Sequence, residues 1–278
     1  MFQYVRILRP LNCAMAGIAV IVGAVVASDV FPVMKIALAF WATFMICGAG
    51  NVVNDFFDYE IDKINNPLRP LPSGAIPLNL ALYYALSLFV LGVLASAFIN
   101  IYALVIALFN SLLLYVYAQR IKKGGGIKKN LTVSYLVASP FFFGGIAVMV
   151  VGKPLVTLLL ALIAAFANTG REIAKDIEDY KGDSMFIKTL PARVGFEKAS
   201  RLAGAFLFAT VVLSPLPYFF GILNWYYLLI VLAADVVVAY AAMILLRNSS
   251  DPVKASESQR MIKIGMLLAL AAFFVGSL

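Results

Sequence analysis

The sequence contains no histidine and only two cysteines, Cys13 and Cys47, which lie in apolar stretches without a CxxC pair. These absences exclude zinc sites, haem ligation and Ser-His-Asp catalysis. The remaining candidate metal ligands are carboxylate and amide oxygens, the hard ligands that suit Mg²⁺. Any metal chemistry in this chain is therefore expected to depend on acidic and amide side chains.

Charge is also scarce. Charged residues make up 13% of the 278 residues and hydrophobic residues 63%, whereas a soluble domain carries about 25% charged residues. Nine stretches reach the roughly 20 apolar residues that a spanning helix needs. They cover about residues 11–29, 36–56, 79–98, 101–119, 131–151, 155–174, 200–220, 223–246 and 260–278. The sequence therefore predicts an all-α, polytopic membrane protein with nine transmembrane helices in one bundle.

The positions of the cations predict the orientation of this bundle. All but two of the 22 Lys and Arg residues lie in alternate loops, and the exceptions are Lys35 and Lys153. The positive-inside rule places the amino terminus in the cytoplasm and the carboxyl terminus outside the cell membrane. This topology, with attraction to anionic lipids or phosphorylated substrates, explains the net charge of +8 without a nucleic-acid partner. The hydrophilic stretches are loops of one bundle, so residues 1–278 are expected to form a single domain without an obligate protein partner.

Nine of the 14 acidic residues fall in two clusters, which follow the second and sixth predicted spans on the predicted cytoplasmic side. The polar members at helical spacing are Asn54, Asp58 and Asp62 in the first cluster and Asp176, Asp179 and Asp183 in the second. Such spacing places oxygens on one helix face. Packed carboxylates repel one another unless a cation neutralises them. Two such faces across a cavity are predicted to bind Mg²⁺ and a diphosphate.

Basic and polar residues beside the clusters are candidate substrate contacts. They are Arg9, Asn12, Lys63, Arg69, Tyr117, Lys122, Lys123, Arg171 and Lys175. Arg69 is the strongest candidate, because neighbouring prolines stiffen its loop. The alternative for each cation is that it is an ordinary loop residue on the cytoplasmic side, and the alternative for Asn12 is that it caps a helix. Asp235 lies within an apolar span, where it is expected either to form a structural hydrogen bond or to face the cavity.

Two segments resemble the signatures of the UbiA-type intramembrane prenyltransferases. NDFFDYEID, which contains Asn54, Asp58 and Asp62 and is followed by Asn66-Pro-Leu-Arg69-Pro-Leu-Pro-Ser-Gly, is similar to the first signature. REIAKDIEDYKGD, which contains the three aspartates of the second cluster, is similar to the second signature. The resemblance spans nearly the whole chain and is nearest to the archaeal branch that makes digeranylgeranylglyceryl phosphate.

The resemblance implies a nine-helix bundle around a central cavity, capped on the cytoplasmic side by the loops after the second and sixth spans. It implies that Asn54, Asp58, Asp179 and Asp183 hold Mg²⁺ and a prenyl diphosphate. Asp62 and Asp176 would have supporting roles, either at the metal or in orienting phosphate. The membrane-embedded partners would be the prenyl diphosphate and a phosphorylated lipid acceptor.

The activity that this resemblance implies is Mg²⁺-dependent transfer of a geranylgeranyl group from geranylgeranyl diphosphate to the hydroxyl of geranylgeranylglyceryl phosphate. A prenyltransferase that acts on an aromatic quinone or porphyrin precursor is one alternative. A cation-coupled transporter is another, although it would have acids near the bilayer centre rather than at one surface. The Asp-Gly-x-x-Ala-Arg signature of CDP-alcohol phosphotransferases is missing from the sequence.

Overall fold

The computed structural model describes residues 2–180 and 188–278, and this part of the chain consists of helices and connecting segments without a β-strand. The α-helices are α1 (Phe2–Ile7), α2 (Pro10–Ala27), α3 (Val33–Phe57), α4 (Tyr59–Asn65), α5 (Leu78–Ala97), α6 (Ile101–Val116), α7 (Lys122–Gly124), α8 (Gly126–Ala147), α9 (Val156–Glu178), α10 (Leu190–Val194), α11 (Phe196–Leu213), α12 (Leu216–Phe219), α13 (Trp225–Arg247) and α14 (Pro252–Gly276). A π-helical turn at Tyr117–Ile121 joins α6 to α7.

Nine helical stretches of the described residues are long and apolar enough to cross a membrane. They are Pro10–Ala27, Val33–Phe57, Leu78–Ala97, Ile101–Gly124, Gly126–Ala147, Val156–Glu178, Phe196–Phe219, Trp225–Arg247 and Pro252–Gly276. The predicted all-α fold with nine spanning helices is therefore confirmed. The chain is a multi-pass membrane protein.

The ninth spanning helix begins earlier than its apolar stretch. The prediction placed its start near residue 260, whereas α14 begins at Pro252. The side chain of Asp251 accepts hydrogen bonds from the backbone N–H groups of Val253, at 2.9 Å, and Lys254, at 3.4 Å. An aspartate cap followed by proline is a favourable helix start. Helix α14 therefore extends through polar residues that the hydropathy of the sequence did not include.

Helices α2 and α8 approach each other at two glycines. A Cβ atom on Gly23 would lie 2.0 Å from the backbone oxygen of Phe141, and one on Gly144 would lie 2.0 Å from the backbone oxygen of Val20. Only glycine, which has no Cβ atom, allows the two helix backbones to approach this closely. Small residues commonly let the backbones of spanning helices pack closely. Here the two glycines allow α2 and α8 to pack against each other along one side of the bundle.

The bundle encloses a cavity of about 1010 Å³ whose walls come from α2, α3, α6, α8, α9, α11, α13 and α14. Its polar end lies where α3 and α9 finish and where α4 follows α3. Its apolar end is lined by Phe141, late in α8, and by Leu270 and Phe273, late in α14. The fold thus places both acidic segments at one mouth of a long chamber that continues into the membrane-spanning region.

Candidate active site

The first acidic segment presents a continuous polar face to the cavity, although helix α3 ends just before Asp58. The backbone N–H groups of Asp58, Asp62 and Asn66 donate to the carbonyl oxygens four residues earlier, at 3.0, 2.8 and 2.8 Å. This pattern preserves the helical spacing across the break between α3 and α4. The side chains of Asn54, Asp58, Asp62 and Asn66 all line the cavity.

The carboxylates on this face are buried and paired with cations. The ammonium of Lys122 contacts the Asp58 carboxylate and donates to Asn54 Oδ1 at 3.2 Å. The Asn54 amide donates to Asp58 Oδ2 at 3.1 Å. Arg69 donates to Asp62 Oδ2 at 2.6 Å. Buried charges persist when they are paired and hydrogen-bonded, and this mouth of the cavity therefore brings carboxylate oxygens and cationic side chains together.

Arg9 links the turn between α1 and α2 to the first acidic segment. Its φ of 53° lies in the left-handed region, which is uncommon for a residue other than glycine. Its guanidinium donates to Asp55 at 2.5 Å, and that carboxylate also lies 3.7 Å from Arg69. Asp55 is 4% exposed. Arg9 and Asn12 line the cavity.

A π-helical turn explains why Tyr117 and Lys122 both reach the cavity. The backbone N–H of Lys122 donates to the carbonyl of Tyr117, five residues earlier. In an α-helix, residues five apart diverge by about 140°, whereas the wider turn lets both side chains line the cavity. Such π turns often occur at functional sites. The adjacent Lys123 is exposed and lies outside the cavity lining.

The second acidic segment contributes the opposite polar wall. Its cavity-lining side chains share the helical period of α9 and are Asn168, Arg171, Glu172, Lys175, Glu178 and Asp179. Arg171 donates to Glu172 at 3.0 Å. Asn168, Glu172 and Glu178 were not among the predicted site residues, although the period of the predicted residues Arg171 and Lys175 would have indicated them. Asp183 lies outside the described residues.

Asp176 is not part of the cavity lining and is 1% exposed, although its partner Lys129 lines the cavity. Its carboxylate contacts the ammonium of Lys129 and accepts hydrogen bonds from Asn130 Nδ2, at 3.0 Å, and the backbone N–H of Leu190, at 3.5 Å. Asp176 therefore joins α9 to α8 and to the start of α10. Lys129 could not be predicted as the partner of Asp176, because the two residues are far apart along the chain.

Lys63 is the other predicted contact outside the cavity lining. It donates to Glu60 at 2.9 Å and lies 4.2 Å from the centre of the Tyr59 ring. The hydrogen bond to Glu60 raises the pKa of Lys63 above its usual value. The predicted substrate contacts that the structure brings to the cavity are Arg9, Asn12, Arg69, Tyr117, Lys122, Arg171 and Lys175.

Asp235 lies deeper in the bundle and fulfils both expectations for it. Its carboxylate accepts a hydrogen bond of 2.5 Å from the hydroxyl of Ser214, and both residues line the cavity. Tyr227 donates to the backbone oxygen of Ser214. The hydrogen bond stabilises an acidic group that would otherwise be costly within a spanning helix.

The oxygen donors fit a divalent metal that binds together with a phosphorylated substrate. Within residues 2–180 and 188–278, no three acidic or cysteine side chains form a ready-made metal site. Mg²⁺ commonly binds through one or two carboxylates and completes its coordination with waters and substrate phosphates. Asn54, Asp58, Asp62 and Asp179 line the shared cavity and are available for this purpose.

Comparisons with known proteins identify the family of the chain. Residues 16–274 match the UbiA prenyltransferase family. A relative from Methanopyrus kandleri, named digeranylgeranylglyceryl phosphate synthase, is 42% identical over 279 residues, which cover 100% of both chains. A solved structure described as digeranylgeranylglyceryl phosphate synthase in membranes shares 39% identity, with a TM-score of 0.85 and coverage of 99% of this chain and 97% of the other.

A UbiA homolog from Archaeoglobus fulgidus bound to GPP and Mg²⁺ has a TM-score of 0.69 and 18% identity, and the match covers 98% of this chain and 100% of that chain. At this identity the similarity shows the shared fold. The full-length matches at about 40% identity and the family match together establish the family of the chain. The chain therefore belongs to the UbiA prenyltransferase family.

Proposed function

We propose that this protein transfers a geranylgeranyl group from geranylgeranyl diphosphate to the free hydroxyl of geranylgeranylglyceryl phosphate, with Mg²⁺ as the metal. The observation that carries the proposal is one cavity lined at its polar end by both acidic segments and at its far end by apolar side chains. The relatives named digeranylgeranylglyceryl phosphate synthase support this choice of donor and acceptor. Residues 1–278 would act as one domain.

In this reaction the bond between the allylic carbon and the diphosphate oxygen breaks, and the acceptor hydroxyl oxygen forms an ether bond to that carbon. Diphosphate and the hydroxyl proton leave. Bound Mg²⁺ would supply positive charge to the departing diphosphate. Asn54, Asp58, Asp62 and Asp179 would hold the metal, and we place Asp183 with them from the sequence pattern.

Lys122 and Arg69 would bind the diphosphate on the same side. Both cations contact carboxylates that would hold the metal, so they stand within reach of phosphate oxygens at that position. Preorganised cations at the point where negative charge develops are the main means by which proteins stabilise such a leaving group. The metal site and the phosphate site are therefore one structural unit.

The apolar end of the cavity would accommodate isoprenoid tails. Phe141, Leu270 and Phe273 line this end and would exclude water from the reactive allylic carbon, which water would otherwise trap. A cation-coupled transporter would require acids concentrated near the middle of the bilayer. The concentration of acids at one mouth, together with membership of a prenyltransferase family, favours the enzyme.

We also propose that this mouth faces the cytoplasm. The cations of the predicted inner loops flank the ends of α3, α6 and α9, and the positive-inside rule assigns such loops to the cytoplasm. The amino terminus would then be cytoplasmic and the carboxyl terminus external. Accessibility labelling of single cysteines introduced at Lys123 and Lys153 in intact cells would test the orientation, since the former should be protected and the latter labelled.

The activity can be tested with purified protein in lipid nanodiscs. Geranylgeranyl diphosphate and Mg²⁺ would be incubated separately with geranylgeranylglyceryl phosphate, an aromatic quinone precursor and a porphyrin precursor, and products would be identified by mass spectrometry. We expect an ether product from the glyceryl phosphate acceptor, its loss with EDTA, and its return with excess Mg²⁺. Turnover that survives EDTA would refute the metal-dependent mechanism, and preference for an aromatic acceptor would refute the acceptor assignment.

A further inference from the structure

Lys263 is a charged residue within the ninth spanning helix. It lies 11 residues after the start of α14 at Pro252, which is roughly 16 Å along the helix axis. Its side chain is exposed and lines the cavity. Lysines in spanning helices usually face a polar cavity or the polar end of the helix, and Lys263 faces this cavity. The kind of group that Lys263 can bind therefore indicates which ligand this part of the cavity accommodates.

Most of the cations around the cavity already bind a carboxylate. These pairs are Lys122 with Asp58, Arg69 with Asp62, Arg171 with Glu172, Arg9 with Asp55 and Lys129 with Asp176. Lys175 and Lys263 line the same cavity, and neither forms an ion pair with another residue in the ranges 2–180 and 188–278. Their charges are available to an anion that enters the cavity.

The contact between α9 and α14 places these two cations on one wall with Arg171. Ser256 donates to Glu178 at 2.7 Å, which fixes the register of the two antiparallel helices. Lys263 and Arg171 each lie seven residues deeper than that contact, about 10 Å along the helices. The Nε atom of Arg171 is buried and has no hydrogen-bond partner among the residues that the structure describes. Three cationic groups thus line one wall, and one of them has an unused buried donor.

The opposite wall differs in its electrostatics. There the cations form ion pairs with carboxylates of the first acidic segment. Lys122 pairs with Asp58, and Arg69 pairs with Asp62. That combination suits a diphosphate that arrives with a divalent metal. The wall of Lys175 and Lys263 offers positive charge without a metal-binding carboxylate paired to it. A phosphate monoester carries a charge of about −1.5 to −2 near neutral pH, and it is the kind of anion that such a wall binds.

We propose, on the basis of the function proposed above, that Lys263 and Lys175 together with Arg171 bind the phosphate monoester of the lipid acceptor. The donor diphosphate binds with the metal at the mouth of the cavity, where the first acidic segment and Asp179 supply oxygen ligands, and the acceptor phosphate binds further into the cavity, at the wall formed by α9 and α14. This separation keeps two highly charged groups apart while their reacting carbon and oxygen atoms meet within the same cavity. Lys263 is then a specificity-determining residue for a phosphorylated acceptor.

The test is a steady-state comparison of two acceptors, geranylgeranylglyceryl phosphate and the same lipid without its phosphate, in nanodiscs of uncharged lipid. The variants are Lys263→Met, Lys263→Arg and Lys175→Met. Arg260→Met is the matched control, because Arg260 lies one turn earlier on α14, is exposed and is absent from the cavity lining. Hydrogen bonds to charged groups contribute enough that we expect about a tenfold rise in KM for the phosphorylated acceptor in Lys263→Met.

We expect the KM for geranylgeranyl diphosphate to stay unchanged in Lys263→Met, and Lys263→Arg to retain the acceptor KM of the natural protein. Turnover of the unphosphorylated lipid should be unaffected by the substitution. A loss of activity that is equal for both acceptors, or an unchanged acceptor KM, would overturn the phosphate assignment. Should Lys263→Met fail to fold, Lys175→Met makes the same comparison. If the natural protein transfers no geranylgeranyl group to either lipid, the proposed function itself fails.

Discussion

The ammonium of Lys122 contacts the carboxylate of Asp58 across the polar mouth of the cavity. Asn54 joins the pair, because it donates to Asp58 at 3.1 Å and accepts from Lys122 at 3.2 Å. The π-helical turn before Lys122 brings this cation to the acidic face of α3. The proposed metal ligand Asp58 and the proposed phosphate contact Lys122 are thus in direct contact, and each role can be tested separately.

Lys122→Met should lower kcat/KM for geranylgeranyl diphosphate by about a hundredfold, because a preorganised charged contact to the leaving group contributes about 3 kcal/mol. Lys123→Met is the matched control. Lys123 is the adjacent residue, is exposed and lies outside the cavity lining, so its substitution should change kcat/KM less than twofold. Steady-state kinetics with varied donor would measure both values. Equal losses in the two variants would contradict the assignment of Lys122.

Asp58→Asn should reduce kcat by at least about a hundredfold and raise the Mg²⁺ concentration needed for half-maximal activity, because a neutral amide binds a hard cation less well than a carboxylate. Glu60→Gln is the control from the same cluster. Glu60 is exposed and pairs with Lys63, so its substitution should leave the Mg²⁺ titration unchanged. A normal titration in Asp58→Asn would show that this carboxylate does not hold the metal.

The sequence predicted the spanning helices and the acidic face of α3 because both depend on local periodicity. Apolar runs of about 20 residues indicate spans, and spacing of four residues places Asn54, Asp58 and Asp62 on one side of a helix. These features follow from hydropathy and helix geometry. The first acidic segment therefore lines the cavity as its spacing indicated.

The sequence could not distinguish Lys122 from Lys123, or Asp176 from Asp179. The first distinction depends on the π-helical turn, which has no clear signal in the sequence. In the second, residues three apart in a helix are separated by about 60° around the axis, which is enough for Asp179 to line the cavity while Asp176 packs against Lys129. Which of the two residues lines the cavity depends in both pairs on contacts between distant segments. The spacing of residues within one segment does not reveal such contacts.

Breaking the buried contact between Asp176 and Lys129 should destabilise the protein. The Asp176→Asn variant removes the carboxylate that contacts the ammonium of Lys129, which is 7% exposed, and removing one member of a buried ion pair costs about 3–5 kcal/mol. The double variant Asp176→Asn/Lys129→Met should recover most of this loss, since it removes both charges. Thermal unfolding in detergent would measure the effect.

The control for this prediction is Glu197→Gln, which removes one partner of an ion pair in which both side chains are 71% exposed. Exposed pairs of this kind contribute about 0–1 kcal/mol, so its unfolding temperature should stay close to that of the natural protein. If Asp176→Asn were as stable as Glu197→Gln but inactive, Asp176 would instead act directly on metal or phosphate, as the sequence pattern suggested.

Gly144→Ala should separate α2 from α8. The added Cβ would lie 2.0 Å from the backbone oxygen of Val20 and 2.9 Å from the backbone nitrogen of Ala24, and neither backbone atom can move without shifting the helix. Overpacking of this kind costs about 1–3 kcal/mol or more, so the unfolding temperature should fall. Activity should fall with it, because α2 and α8 both contribute to the cavity wall.

Gly124→Ala provides the comparison for this substitution. A Cβ atom at Gly124 would have no neighbouring atom within 4 Å in the described part of the chain, and the backbone there does not adopt a positive φ. Alanine is also the better helix former by about 1 kcal/mol, so this variant should be as stable as the natural protein or slightly more stable. Were Gly144→Ala equally well tolerated, the close approach of α2 and α8 could not be what holds this wall of the cavity together.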